Sequence, residues 1–489
     1  MRIFEILILA GLLLSALGLL IIKDARLRMV FPALSAVLAF IGIGTEGYRF
    51  VMTPAYILAA VLFACSLLKL FSSERRKHPV LRSFAIAAFC IFYALSVALP
   101  LLLPVYDLPK PRGKELVGTI RLDFTNPTRR DLLSGGTTAQ EIAVQVWYPA
   151  SDAGIGTRAH WMDNRKVASL FAQNLRLPDI LGQLCLIRTN SFWNAPLSNE
   201  TDKYPVILFS GGAGSFNGQN TIQMEELASQ GYIVFSVSHP YDDFAVIYAD
   251  GSVVPSHSTQ FEALIKDSAD AITEAQKQIA DESSPDFYRA MLRNSKLNAE
   301  NVRIWGDDMI FIADQVGRLD DGSISSMFEG RLDTENMGIF GHSFGGAAAG
   351  QAILTDNRFK AFINLDGTPF GDTVDSIIEQ PFLIMSAFSE QNGNLMSESG
   401  YSQEQEDYAV ITIKGTQHMN FTDLNVVLSN VGKAIGLLGT ISPERQTEIM
   451  NAYIVSFFNK HLKGMQASSF DILLPEYPEI TVKIIGDPF

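Results

Sequence analysis

Three residues in this chain have the types and order needed for acyl transfer: a serine in a glycine-framed turn, then an aspartate, then a histidine. Met337-Gly-Ile-Phe-Gly-His-Ser343-Phe-Gly-Gly-Ala-Ala-Ala-Gly350 reads as strand, turn and helix, and Gly341-His-Ser-Phe-Gly345 fits G-x-S-x-G. A turn that tight strains the serine backbone and lifts its Oγ clear of the sheet. Side chains at 341 and 345 would collide with the turn or the neighbouring strand. A serine hydroxyl is a weak nucleophile at neutral pH, so Ser343 needs a base oriented by a carboxylate. Phe362-Ile-Asn-Leu-Asp366-Gly-Thr-Pro ends an apolar run in an aspartate, which makes Asp366 the first choice for the acid. Ala409-Val-Ile-Thr-Ile-Lys-Gly-Thr-Gln-His418-Met-Asn-Phe sets a histidine in the loop after a later apolar run, and His418 is the expected base.

The other histidines compete poorly. His78 lies in a loop between apolar segments, His160 and His257 precede the serine in polar surroundings, and His461 falls in the last turn of a helix. His342 flanks the serine but points away from it on so tight a turn. His239, in Ser238-His-Pro-Tyr-Asp-Asp, ends a strand near the site and reads as a supporting residue.

A tetrahedral intermediate needs two backbone N–H donors for its oxyanion. Phe344, directly after the serine, supplies one. The glycine-rich Phe209-Ser-Gly-Gly-Ala-Gly-Ser-Phe216 loop supplies the other, from Ala213. Phe216, Phe344, Phe370 and Phe421 flank these positions and predict an apolar rim, with Phe216, Phe370 and Phe421 as substrate contacts. The loop lacks the lysine of G-x-x-x-x-G-K-[ST], so a phosphate-binding reading is poor. No metal-ligand spacing is present, and the chemistry calls for no metal and no organic cofactor. Cys65, Cys90 and Cys185 form no disulfide framework.

These residues must be held by a sheet. Apolar strands are expected at 141–148, 205–209, 232–238, 337–340, 360–365, 382–387 and 408–414, with helical stretches such as 223–230 and 301–316 between them. That alternation and the Ser, Asp, His order predict an α/β-hydrolase fold, a mostly parallel sheet with helices on both faces. Residues 256–300 are charged, Ala-rich and too long for an ordinary connection. They read as a helical insertion over or beside the site, or as a solvated excursion. A last helix over about 443–462 carries the stripe Met450, Tyr453, Ile454, Phe457 and Phe458, which should cover one sheet face.

The N-terminal part is different in kind. Four apolar segments, about 4–22, 29–44, 50–71 and 83–105, account for a mean hydropathy of +0.16. They are apolar on all faces and three approach or exceed the ~20 residues that cross a bilayer, so four transmembrane helices are expected. The division that follows is a membrane segment at 1–105, a Pro-rich linker at 106–114 and a catalytic domain at 115–489. Lys23, Arg26 and Arg28 make the first loop basic, as Arg75, Arg76, Lys77 and Arg82 do the third, whereas the second offers only Arg49. The positive-inside rule then puts both ends of the bundle, and the catalytic domain, outside the cytoplasm, with Lys110, Arg112 and Lys114 counting against it. The whole chain carries −14 although residues 1–105 hold ten Lys/Arg and four acids, so the remainder is strongly acidic. Such a surface excludes nucleic acid as a partner. The oligomeric state is left open.

With these residues in hand, the sequence resembles the platelet-activating factor acetylhydrolase family, the plasma-type serine-dependent lipases. The likeness runs over about 115–465. It includes Arg121-Leu-Asp-Phe with Pro127-Thr-Arg-Arg130, Val144-Gln-Val-Trp-Tyr-Pro149, Tyr204-Pro-Val-Ile-Leu-Phe-Ser210, Gly341-His-Ser-Phe-Gly-Gly346, Asn364-Leu-Asp366-Gly and Thr412-Ile-Lys-Gly-Thr-Gln-His418-Met-Asn-Phe421. The resemblance implies the triad Ser343, Asp366 and His418, and a preference for short or oxidised acyl chains on a glycerolipid. Gly211 stands where the family usually has a histidine, and Ala213 replaces a bulkier apolar residue. The expected function is a membrane-anchored serine hydrolase of carboxylic esters. The rival readings are a lipase, broad esterase or peptidase of the same fold, and a catalytically silent membrane sensor.

Overall fold

The computed structural model of the chain describes all residues except 72–78, 132–134, 152–155, 176–180, 257, 389–397, 403, 466–475, 487 and 489. His78, His257 and the basic residues Arg75, Arg76 and Lys77 therefore lie outside the described residues. The chain divides into two compact units, Met1–Asp107 with His160–Arg188, and Leu108–Ala159 with Thr189–Phe489.

In the first unit, α1 (Ile3–Ile21), α2 (Ala25–Glu46), α3 (Thr53–Phe71) and α4 (Pro79–Leu102) follow one another closely. Four spans, Ile3–Ile21, Ala25–Glu46, Phe50–Leu68 and Ser83–Leu102, are long and apolar enough to cross a membrane. They bury a modest seam, Ile8, Leu9 and Leu12 against Ala39, Met52, Ala55, Leu58 and Ala59, and turn large apolar side chains outward. Phe40 is 82% exposed and Phe84 73%, which in water would be costly and in lipid would not. Small residues let α1 and α2 approach: a Cβ on Gly11 would lie 2.6 Å from Ser35 Oγ.

Charged side chains at one end of this bundle pair with one another. Arg49, completely buried, bonds Glu5 at 2.5 Å, the Leu103 carbonyl at 2.5 Å and Gln183 Oε1 at 3.2 Å. Arg2 joins Glu5 at 2.9 Å and Glu46 at 3.3 Å. A buried charge persists only when its hydrogen bonds are met this way. Gln183 comes from 160–188, a stretch in the middle of the expected catalytic domain. It contains α5 (Arg165–Asn174) and belongs by its contacts to the helical unit.

The second unit is built on an eleven-stranded sheet. Its centre is parallel: β12 (Tyr408–Ile413), β11 (Phe382–Ala387), β10 (Phe359–Leu365), β9 (Leu332–His342), β5 (Tyr204–Ser210) and β6 (Ile233–Val237), in that spatial order. On the β6 side, β2 (Ala139–Ala150) and β1 (Leu116–Arg130) turn antiparallel, and β4 (Arg188–Trp193) runs parallel to β1. At the other edge β13 (Ile480–Ile485) pairs antiparallel with β12. The seven expected strands are all present; β1, β3 (Arg158–His160), β4 and β13 add to them, and β7 (Ala245–Ile247) and β8 (Val253–Pro255) form a separate two-stranded sheet.

The central strands are apolar on both faces because both faces are covered. Val206, Leu208 and Ile339 pack with Met309 and Ile312 of α9 (Lys296–Asp320) and Ala349 and Ile353 of α10 (Phe344–Thr355). Ile207, Phe209 and Phe340 point the other way. They meet Met224 and Leu227 of α6 (Thr221–Ser229) and Met450, Ile454, Phe457 and Phe458 of α11 (Pro443–Lys463). The region read as an insertion consists of α7 (Ser258–Gln278), α8 (Pro285–Asn294) and the start of α9. Part of the stretch read as a linker is pinned instead: the Arg112 and Gly113 N–H groups donate to Glu226 Oε2 at 2.9 Å and Ser229 Oγ at 3.0 Å on α6.

Candidate active site

Ser343 stands between β9 and α10 at φ +56° and ψ −124°, a conformation L-residues avoid. Glycine on either side makes it possible. A Cβ at 341 would sit 2.2 Å from the Gly345 carbonyl oxygen, and one at 345 would sit 2.2 Å from that of Ser210. Asp366, at φ +52°, leaves the end of β10, and its Oδ1 accepts the Ala387 N–H at 2.8 Å. Asn364 brackets that turn, accepting from the Gly367 N–H at 2.8 Å and donating to the Gly367 carbonyl at 2.9 Å.

His418 opens a short 3₁₀ turn, His418–Phe421, after β12. Its Nδ1 lies 2.7 Å from Asp366 Oδ2 and its Nε2 2.9 Å from Ser343 Oγ. An ionised carboxylate only accepts, so Nδ1–H donates to Asp366 and the Nε2 lone pair faces the serine hydroxyl. The His418 side chain is 45% exposed and that of Asp366 14%. Three residues from three strand ends thus meet in a hydrogen-bonded line open to solvent.

Phe344 is buried with Leu264, Val302 and Trp305 from α7 and α9, and Ala213 and Phe370 pack against the same cluster. The Trp305 ring meets Phe344 edge-on at 4.9 Å. The Phe344 N–H belongs to the first turn of α10, where no intrahelical acceptor exists. Among the described residues the Ala213 N–H donates no hydrogen bond. The aromatic rim differs from expectation. Phe370 lies 6.1 Å from Phe344, ring to ring. Phe216 is buried against Phe244 at 5.3 Å. Phe421 is fully buried in the core under the sheet, its carbonyl accepting from Asn220 Nδ2 at 2.7 Å. Adjacency to His418 in sequence misled here, because the 3₁₀ turn carries Phe421 inward.

Two further sets lie close by. His342 is buried beneath His418 with ring centroids 4.6 Å apart, and burial holds its imidazole well below the usual histidine range. Deeper in the fold, Ser210 Oγ is 2.8 Å from His239 Nε2, and His239 Nδ1 is 3.2 Å from Asp308 Oδ2. This second serine, histidine and aspartate are completely buried. His239 stacks on Trp305 at 3.8 Å, Asp308 also pairs with Arg129, and burial keeps His239 below its ordinary pKa. Burial also raises the Asp242 and Asp243 carboxyls beside it.

With the geometry in place, comparison with known proteins is decisive. A family model described as platelet-activating factor acetylhydrolase, isoform II, matches residues 103–472. The chain belongs to that family. A platelet-activating factor acetylhydrolase from Cavia porcellus is 29% identical over 368 residues, covering 73% of this chain and 78% of its own. A probable 1-alkyl-2-acetylglycerophosphocholine esterase from Arthroderma benhamiae is 22% identical over 413 residues, 76% of this chain and 92% of that one. Among solved structures, a ferulic acid esterase from Streptomyces cinnamoneus aligns with a TM-score of 0.59 at 21% identity, covering 77% of this chain and 99% of its own. The fold is that of the α/β-hydrolases, and this platelet-activating factor acetylhydrolase family member is a carboxylic ester hydrolase. The family match begins at residue 103 and leaves all four N-terminal helices outside it.

Proposed function

We propose that this protein is a membrane-anchored serine hydrolase that removes short or oxidised acyl chains from phospholipids through an acyl-enzyme. One observation carries the reading: His418 hydrogen-bonds Ser343 Oγ at 2.9 Å and Asp366 at 2.7 Å, with the serine on a strained turn. Ser343 Oγ attacks the ester carbonyl carbon as His418 Nε2 takes its proton. The oxyanion is held by the Ala213 N–H in the loop after β5 and by the Phe344 N–H at the start of α10, where the helix dipole also favours negative charge. His418 hands the proton to the departing alkoxide oxygen, and the acyl group stays on Ser343. Water then attacks the acyl-enzyme, giving its proton to His418, which returns it to Ser343 as the acid leaves. Asp366 fixes the His418 tautomer and stabilises the imidazolium throughout. Phe370 is the apolar contact offered to the substrate.

Residues 1–105 form the membrane domain in this reading, and the active unit faces away from the cytoplasm. In support, Arg2 and Arg49 are paired to Glu5 and Glu46 at one end of the bundle. Lys23, Arg26 and Arg28 bias the other end toward the cytoplasm. An introduced Lys277→Cys on α7 should be labelled by an impermeant thiol reagent on intact cells; labelling only after lysis reverses the orientation. The substrate reading is tested with the full chain in liposomes carrying glycerophospholipids that differ only in the sn-2 acyl group. Release of acetyl at least tenfold faster than palmitoyl supports it; equal rates, or release of neither, overturns it.

A further inference from the structure

Around the triad runs a second line of hydrogen bonds that uses a different face of each loop. The Gly212 N–H donates to Gln219 Oε1 at 2.9 Å, so the other end of that amide is the NH2 group. Gln219 Nε2 lies 2.6 Å from His342 Nδ1, which must then accept. The proton of a neutral His342 is left on Nε2, and Nε2 lies 3.3 Å from the His418 carbonyl oxygen. Both side chains in this line, Gln219 and His342, are buried out of solvent. The polarity of every link is therefore fixed by the first, because a backbone N–H can only donate.

One backbone and one side-chain bond repeat the connection. The Asp423 N–H donates to the Gln219 carbonyl at 3.0 Å, and Asn220 Nδ2 donates to the Phe421 carbonyl at 2.7 Å. Space is matched to the relay as well. A Cβ on Gly212 would come 3.2 Å from His342 Nδ1, and one on Gly211 would come 3.3 Å from Gln219 Oε1. Both distances are tighter than ordinary contact, so the paired glycines leave room for the amide and the ring.

We propose that Gln219 and His342 are positioning residues that lock the Ala213 oxyanion loop and the His418 loop into one body, holding the oxyanion donor and the base in register around Ser343. This rests on the roles given above to Ser343, His418 and Ala213. His342 needs to stay neutral for the relay: a proton on Nδ1 would face the Gln219 NH2 group and break the link. The groups facing its ring are Gln219 and His418, and burial favours the neutral form. A register error of about 1 Å between donor and base is enough to cost on the order of a hundredfold in rate.

The test is a set of full-length variants assayed on a soluble short-acyl ester: Gln219→Leu, His342→Leu, the double variant, His342→Gln and Ser343→Ala. Glutamine at 342 can accept at one end and donate at the other, whereas leucine can do neither. Gln219→Leu and His342→Leu should each lower kcat ten- to a hundredfold with KM within about threefold, because the donor-to-base register matters in the transition state. The double variant should cost no more than the worse single one, since both break the same line. His342→Gln should recover kcat to within about fivefold of the parent, with all soluble variants folded by circular dichroism. Multiplying single-variant losses in the double variant, or a His342→Gln as slow as His342→Leu, overturns the proposal. If Ser343→Ala retains turnover, the nucleophile assignment itself has failed; if it is inactive while the leucine variants match the parent, only the relay has.

Discussion

Among the described residues, two serine, histidine and aspartate sets share a similar hydrogen-bond geometry, and the proposed function assigns turnover to one of them. Ser343, His418 and Asp366 are joined at 2.9 and 2.7 Å; Ser210, His239 and Asp308 are joined at 2.8 and 3.2 Å. The first serine sits on a positive-φ turn at the head of α10, whereas Ser210 ends β5 in ordinary strand geometry. His418 is 45% exposed and His239 not at all. Asp366 attends to His418, but Asp308 also pairs with Arg129. Residue identity and spacing therefore do not make a nucleophile. Access, a strained backbone that presents Oγ, and nearby N–H donors do. The buried set instead stacks on Trp305, whose ring supports Phe344, so it belongs to the scaffold of the site.

The comparison breaks most sharply at the serines. Ser343→Ala should lower kcat by several orders of magnitude, since members of a triad act as a unit. Asp366→Asn should follow at about ten-thousandfold, because an amide facing Nδ1 favours the wrong tautomer. Ser210→Ala should leave kcat within about threefold but destabilise the fold by ~1–3 kcal/mol, the cost of an unsatisfied buried His239 Nε2. Rates on a short-acyl ester and thermal melts of the detergent-solubilised full chain separate these outcomes. A Ser210→Ala loss of activity comparable to that of Asp366→Asn would erase the distinction between the two sets.

A smaller effect is expected from pH. His342 is held below the ordinary histidine pKa of 6.5 by burial, so below about pH 6.5 the unfolded chain takes up a proton that the folded chain refuses. Its contribution to stability is complete above that pH and declines as pH falls, by at most about 1.4 kcal/mol per pH unit. The stability gap between the parent and His342→Gln should therefore move in the variant's favour between pH 7.5 and 5. A gap constant across that range contradicts the neutral, buried His342.

Much of this was written in the sequence, and what was not has physical reasons. The central strands were legible because burial on both faces leaves continuous apolar runs, as in Pro205–Phe209 and Phe382–Ala387. Ser343, Asp366 and His418 were legible because each follows such a run. β1 was not, since Asn126-Pro127 breaks its pattern where the pairing register with β2 also shifts. The membership of 160–188 in the helical unit includes the meeting of Gln183 with Arg49, two residues 134 positions apart. Nothing local marks such a partner. Gln219 was silent for the same reason, and the inward turn at Phe421 reversed what its neighbour His418 implied.

The most direct measurement maps the covalent adduct formed when the full-length protein reacts with a fluorophosphonate. Digestion and mass spectrometry should find the phosphonyl group on Ser343 and none on Ser210, and Ser343→Ala should abolish labelling. An adduct on Ser210, or labelling of Ser343→Ala at the parent's rate, would contradict the assignment of the nucleophile and the contrast between the two sets.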